Sequence, residues 1–198
     1  MADETLLLAS KSPIRAELLR RAGLAVEIRP AAIDERAAEA AWAGAGPPEI
    51  ACRLAEAKAL AVSHEAPGRL VLGADQTLDL DGIRFTKSVD RAAARRTIER
   101  LSGRTHRISS GFALARDGAV IRSGVAEARL AMRPLSPGAI ERYLDRAGET
   151  ILGSVGCYQL EALGAALFER VEGDFFTVLG LPLLDVLAAL RAERLIEE

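Results

Sequence analysis

A chain of 198 residues with 49% hydrophobic side chains can bury a sizeable core, as one domain or two closely packed lobes, and this composition excludes a disordered protein. A net charge of −2 and a pI near 5.8 leave no global basic field, which argues against a protein that grips a nucleic-acid backbone. The two cysteines, Cys52 and Cys157, stand far apart without C-x-x-C spacing, so neither a disulfide scaffold nor a zinc site is suggested and both read as buried small hydrophobes.

The stretch Met1-Ala2-Asp3-Glu4 is acidic, and the apolar run at 6–9 is too short for a signal peptide core or a membrane span, so a cytoplasmic protein with no membrane partner is expected. That run breaks at Ser10-Lys11-Ser12-Pro13, and Leu18, Leu19 and Ala22 follow at helical spacing until Gly23. The spacing predicts a strand, a polar turn and a helix, with Ser12 at the N-cap and Pro13 at the first helical position. A helix start of this kind presents free N–H groups to anions, and Lys11, Arg15, Ser10 and Ser12 crowd the same turn. The turn suits a phosphate chain, and an ordinary capped helix after a strand is an equally good reading.

Ala25-Val26-Glu27-Ile28 reads as a second strand leading to Asp34-Glu35, an adjacent carboxylate pair that serves metal or base chemistry or is simply solvated. Residues 37–46 are rich in Ala and Gly, and the Ala43-Gly44-Ala45-Gly46-Pro47-Pro48 end reads as a loop before a new helix, with Glu49 in its first turn. Ile50, Leu54, Ala57 and Ala61 form its expected apolar stripe, and Lys58 falls off that stripe, expected to snorkel into solvent unless it reaches a site.

Leu70-Val71-Leu72 is an apolar strand expected to end at Gly73-Ala74, so that Asp75 stands at a strand end beside open space. Residues 77–80, turning at Asp81-Gly82 into Ile83-Arg84-Phe85, read as a hairpin that returns Lys87 to Asp75. A turn role and a catalytic role for Asp75 stay open, and Lys87 favours the second.

A helix capped by Asp90 runs to Leu101. Residues 105–115 and 120–132 form two long strands joined by an Asp117-Gly118 turn, and Ser136-Pro137 opens a helix carrying Ile140, Tyr143 and Leu144. The glycine-punctuated loop at 153–161 is long enough to be functional. Residues 167–176 read as a strand or short helix, and Leu179-Gly180-Leu181-Pro182 starts a last helix ending near Arg194. Helices and strands interleave, which predicts an α/β fold with a mixed twisted sheet, flanking helices and two lobes.

Leu8-Ala9-Ser10-x-Ser12-Pro13-x-Arg15, Asp34-Glu35, Leu54-Ala55-x-x-Lys58-Ala59, Gly73-Ala74-Asp75-Gln76, Lys87, Leu101-Ser102-Gly103-x-x-His106, Gly156-x-Tyr158, Gly173-Asp174 and Leu179-Gly180-Leu181-Pro182 share the order and spacing of one family. The chain resembles the Maf family over nearly its whole length, as a single domain spanning 1–198. The resemblance implies an inosine-triphosphatase-like α/β fold around a cleft, and a pyrophosphatase that converts a nucleoside triphosphate to the monophosphate in nucleotide house-cleaning. By the same resemblance Ser10, Ser12 and Arg15 hold the triphosphate, Glu35 and Asp75 manage metal and attacking water, and Lys58 and Lys87 neutralise phosphate charge. Four departures stand out. Ile14-Arg15 replaces the family's Arg-Arg, Ser88 replaces a proline after Lys87, and Gly153-Ser154-Val155-Gly156 replaces a loop reading Asp-Lys-Ala-Gly. Glu161 stands where pyrimidine-preferring members have Gln. In the branch resembling 7-methyl-GTP hydrolases a Glu stands there, and Gln follows the motif Asp, as Gln76 does.

Cleavage between the α and β phosphates calls for a divalent ion, Mg²⁺ or Mn²⁺, and one or two carboxylates with the substrate phosphates suffice to hold it, which Glu35 and Asp75 fit. One of them is the general base; His106, at a strand start, is the rival and reads as structural. A pyrimidine triphosphatase acting on dTTP or UTP, a nucleotide-binding regulator of cell division without turnover, and a homodimer all stay open.

Overall fold

The computed structural model describes residues 5–197; the acidic Met1-Ala2-Asp3-Glu4 lies outside the described residues. In chain order the elements are β1 (Leu6–Leu8), α1 (Pro13–Arg21), β2 (Val26–Ile28), α2 (Glu35–Ala40), α3 (Pro47–His64), β3 (Val71–Leu80), β4 (Ile83–Phe85) and α4 (Arg91–Leu101). They continue as β5 (Thr105–Arg116), β6 (Ala119–Met132), α5 (Pro137–Ala147), two 3₁₀ turns (Gly148–Gly153 and Leu163–Leu167), β7 (Phe168–Glu172), α6 (Phe175–Val178) and α7 (Leu183–Ala192). The sheet order is β2-β1-β3-β5-β6-β7, with β4 on β3. It is a mixed sheet: β1 runs parallel to β2 and β3, whereas β4 on β3 and β7 on β6 are antiparallel. Among the described residues no helix is long and apolar enough to cross a membrane. The described chain forms two compact units, one of residues 5–76, 109–126 and 175–197, the other of 77–108 and 127–174.

In the first unit the two-residue period of the strands sorts their side chains. Leu6, Leu8, Leu70, Leu72, Ala74, Phe112 and Leu114 share a core with α1 and α7. Leu7, Ala9, Val71, Ala113 and Ala115 pack instead with Ala55, Ala59 and Val62 of α3. Small residues bring α3 very close to the sheet: a Cβ on Gly73 would lie 2.0 Å from the Ala55 carbonyl oxygen, and one on Gly111 2.4 Å from that of Ala51.

That close approach corrects three expectations. Gly73-Ala74 does not end a strand, because β3 runs unbroken through Asp75 to Leu80, its glycine making room for a helix. The buried face of α3 is Ile50, Ala51, Leu54, Ala55, Lys58, Ala59, Val62 and Ser63, turned away from the expected Ala57 and Ala61, so Lys58 points inward rather than snorkelling. Cys52, just off that face, is half-buried, whereas Cys157 is fully buried. Residues 35–40 form a short helix ahead of the expected loop, because the Asp34 carboxylate accepts the Ala37 N–H at 3.0 Å and caps α2.

In the second unit Asp90 caps α4 through the Ala93 N–H at 2.7 Å and Ser136 caps α5 through that of Ala139 at 3.2 Å. Arg91 of α4 bonds Glu141 and Asp145 of α5, each at 2.7 Å. The β4 strand has three residues, with Phe85 opposite Leu78.

Candidate active site

The alternation of β3 also builds the site. Val71, Gly73 and Asp75 face α3, and the inward turn of α3 brings Lys58 to Asp75, Nζ to Oδ1 at 2.6 Å. Glu35, the first residue of α2, reaches the same ammonium through Oε1 at 2.8 Å. The Lys58 and Asp75 side chains are almost wholly buried, and that of Glu35 is half exposed. A contact this short with an ammonium would by itself lower the Asp75 pKa. Burial outweighs it and raises the value, against the pull of Lys58 and then Arg15.

The turn before α1 is formed as expected, with Pro13 in its first turn, but Ser12 makes no side-chain cap bond, unlike Asp90 and Ser136. The Ser10 hydroxyl oxygen instead accepts the Ser12 N–H at 3.3 Å and Arg15 Nη1 at 3.0 Å. No acidic side chain occupies the first turn of α1, so the positive end of the helix is left to an anion. Lys11 is exposed.

Arg15 is buried, which pulls its pKa down from the ordinary value despite Asp75 and Glu35. It donates from Nε to the Gly180 carbonyl at 2.7 Å and from Nη1 to that of Ala74 at 2.8 Å. Gln76, on the opposite face of β3 from Asp75, donates its amide to Ser110 Oγ at 3.2 Å and to the carbonyls of Thr177 at 3.2 Å and Val178 at 3.0 Å. The fold therefore brings Ser10, Ser12, Arg15, Glu35, Lys58, Asp75 and Gln76 together in the first unit. Sequence reasoning missed the Ser110, Thr177 and Gly180 partners, of which only Gly180 lay in a quoted motif.

Lys87 and Glu161 belong to the second unit, and both are exposed. Where the family's proline would follow Lys87, the Ser88 hydroxyl lies 3.2 Å from that of Thr97 and accepts the Cys157 thiol at 3.1 Å, so side-chain contacts hold this turn. Glu161 stands between the two 3₁₀ turns and close enough to Tyr143 to help burial and Cys157 raise the pKa of that phenol. His106 is structural. It is 2% exposed, its Nε2 sits 2.6 Å from the Tyr158 hydroxyl, the Phe168 ring packs beside it, and burial lowers its pKa to about 4.

Two carboxylates converging on one cationic point give a hard-oxygen donor set that fits Mg²⁺ or Mn²⁺. No group of three or more His, Cys, Asp or Glu side chains suited to a metal occurs among the described residues. A site of this kind needs no all-protein cage, because Mg²⁺ takes one or two carboxylates and completes its shell with water and substrate phosphates.

A family model described as Maf-like protein matches residues 5–193. The chain belongs to the Maf family. A Nitrobacter winogradskyi protein named nucleoside triphosphate pyrophosphatase is 52% identical over 98% of this chain and 96% of its own. A Brucella abortus protein named 7-methyl-GTP pyrophosphatase is 49% identical over 97% of this chain and 98% of its own, and a Rhizobium etli protein of the same name is 52% identical over 94% of each. Among solved structures, a HAM1 protein from Coxiella burnetii shares 17% identity at a TM-score of 0.45, over 65% of this chain and 73% of its own. The Maf match runs through both units, so the exposed Lys87 and Glu161 lie inside it along with the buried residues around Asp75.

Proposed function

We propose that this chain hydrolyses a nucleoside triphosphate to the monophosphate and pyrophosphate in the cytoplasm, with a methylated purine such as 7-methyl-GTP as its base class. The observation that carries the reading is the convergence of buried Asp75 and half-exposed Glu35 on Lys58, in the unit that also holds the anion-ready start of α1. The names of the Nitrobacter, Brucella and Rhizobium relatives support it.

The triphosphate lies against the α1 start, where backbone N–H groups and the hydroxyls of Ser10 and Ser12 donate to phosphate oxygens. Lys58 and Lys87 balance the phosphate charge. Asp75 and Glu35 would hold a divalent ion, which when bound polarises the α-phosphate and stabilises departing pyrophosphate. Water forms a bond to the α-phosphorus, the bridging oxygen to the β-phosphate leaves with the bonding pair, and Asp75 takes the proton of the water. A carboxyl whose pKa is raised by burial suits that task better than an ordinary surface aspartate. Glu161 reads the base.

Incubating the chain with Mg²⁺ or Mn²⁺ and a panel of methylated and unmodified triphosphates tests this reading. Pyrophosphate release over many turnovers is expected. Stoichiometric retention of intact nucleotide would replace the enzyme with a nucleotide-binding regulator.

A further inference from the structure

Asp75 is fastened on both sides along its own strand. The residue before it, Ala74, gives its carbonyl oxygen to Arg15 at 2.8 Å, and the residue after it, Gln76, holds the carbonyls of Thr177 and Val178. Both fasteners meet at one turn, because the Nε of Arg15 also donates to the Gly180 carbonyl at 2.7 Å. We propose that Arg15 and Gln76 are positioning residues for Asp75 rather than phosphate ligands, and that the turn at 177–180 is their anchor. This rests on the pyrophosphatase reading and assigns to the end of the chain a part in holding the reactive carboxylate.

The hydrogen-bond inventory supports the assignment. A guanidinium has five N–H donors, and in Arg15 the Nε–H and both Nη1 protons are directed at protein oxygens, those of Gly180, Ser10 and Ala74. A side chain with three bonds to protein and 9% exposure is a strut in a fixed geometry, whereas a phosphate-gripping cation keeps its fork open to the ligand. Gln76 likewise directs its amide protons at Ser110, Thr177 and Val178.

The backbone of the anchoring turn calls for glycine at 180, beside both fasteners. Its φ of +97° is one that side chains other than glycine rarely adopt, and a Cβ there would lie 3.4 Å from both Nε and Nη2 of Arg15 and 3.6 Å from the Gln76 amide carbon. A methyl group at 180 would only touch both fasteners in ordinary van der Waals contact, so the strain of Gly180→Ala comes from the backbone of the turn that anchors them.

The experiment compares wild type with Gly180→Ala, Arg15→Lys and Gln76→Leu. It measures kcat, the dissociation constant and stoichiometry of a non-hydrolysable α,β-methylene triphosphate, and thermal unfolding. Arg15→Lys separates the two roles, because it keeps the charge a phosphate would need and loses the fork that reaches three oxygens. We expect kcat to fall about tenfold to hundredfold in Gly180→Ala and Arg15→Lys, as small misplacements of reacting groups do, with one analogue bound per chain at a dissociation constant within about twofold of wild type. Analogue binding weakened about tenfold or more in Arg15→Lys would overturn the proposal by making Arg15 a ligand, and so would an unchanged kcat in either variant. If Gly180→Ala fails to fold, Arg15→Lys, which carries no backbone strain, gives the same decision. A wild type that binds the analogue but releases no pyrophosphate from any triphosphate removes the pyrophosphatase reading itself, an outcome distinct from all of these.

Discussion

In the first unit Asp75, Lys58 and Glu35 set three charges around one point, with Asp75 and Lys58 almost wholly out of water, whereas in the second His106 and Tyr158 are equally buried and meet in one neutral contact of 2.6 Å among aromatic rings. Burying charge costs more than the pairing usually returns, so an ion cluster of this kind is weak support for a fold and strong grounds for suspecting chemistry. A neutral histidine and phenol do the reverse, tying β5 to the loop of Tyr158 without keeping a charge ready. The difference separates the reacting group from the scaffold.

The largest effect expected from breaking this contrast is at Asp75. Asp75→Asn keeps the shape and removes the proton acceptor, so kcat should fall by roughly 10²–10⁴-fold in a pyrophosphate-release assay, the usual worth of a general base. Retention of more than about a tenth of wild-type kcat, under 1.4 kcal/mol of barrier, would remove Asp75 from the chemistry. The sign of the pH dependence follows from the raised pKa. The base form is lost as pH falls, and burial makes that loss begin above the ordinary aspartate value of about 3.9, which the acid limb of kcat/KM should show.

Lys58→Ala should act first on the fold. Removing one partner of a buried pair leaves Asp75 uncompensated, a loss of about 3 kcal/mol at the low end of such cases because Asp75 can escape by taking a proton. Denaturant unfolding at pH 7 measures it, and a loss below about 1 kcal/mol would mean that Lys58 is solvated as an ordinary surface lysine would be.

How much of this was legible in the sequence follows from how local each cause is. The strand, turn and helix around Ser12-Pro13, the Asp90 and Ser136 caps and the Asp117-Gly118 hairpin rest on neighbouring residues and read correctly. The inward turn of Lys58 did not, because the packing of Gly73 and Gly111 against α3 decides which face of that helix is buried. The same contact hid the continuity of β3 through Asp75. Gly180 stood in a quoted motif, but its partner Arg15 lies 165 residues away in sequence, and no local pattern joins them. Ser10, Ser12, Arg15, Glu35 and Asp75 could be named as candidates from the residues alone, but each also has an ordinary structural reading, and the family resemblance was needed to join them into one site.

In the second unit the contrast can be sharpened by titration. The pKa of His106 is lowered from 6.5 to about 4, so its neutral form favours folding fully above pH 6.5, and that contribution is lost as pH falls towards 4. The loss should reach about 2 kcal/mol by pH 5. Unfolding free energies of wild type and His106→Gln, which does not titrate, should converge by that amount between pH 7 and pH 5. Parallel curves would mean that the ring is solvated and charged.

Glu161 should give the smallest effect, because it is exposed. A carboxylate only accepts hydrogen bonds, and guanine offers two adjacent donors, N1–H and the exocyclic amine, that it can take together. Uracil and thymine present one N–H flanked by carbonyls, which a carboxylate repels and a glutamine amide can match. Methylation at N7 makes guanine cationic and its N1–H more acidic, which strengthens the same pair. Wild type should therefore prefer 7-methyl-GTP to UTP and dTTP in kcat/KM, and Glu161→Gln should shrink that preference by about tenfold, near 1.4 kcal/mol, the modest end for one charged contact at an open site. The analogue affinity of the phosphate site and the Asp75 acid limb should not move. If wild type cleaves UTP or dTTP as efficiently as 7-methyl-GTP, the base is read elsewhere, and Glu161 is only an exposed neighbour of Tyr143.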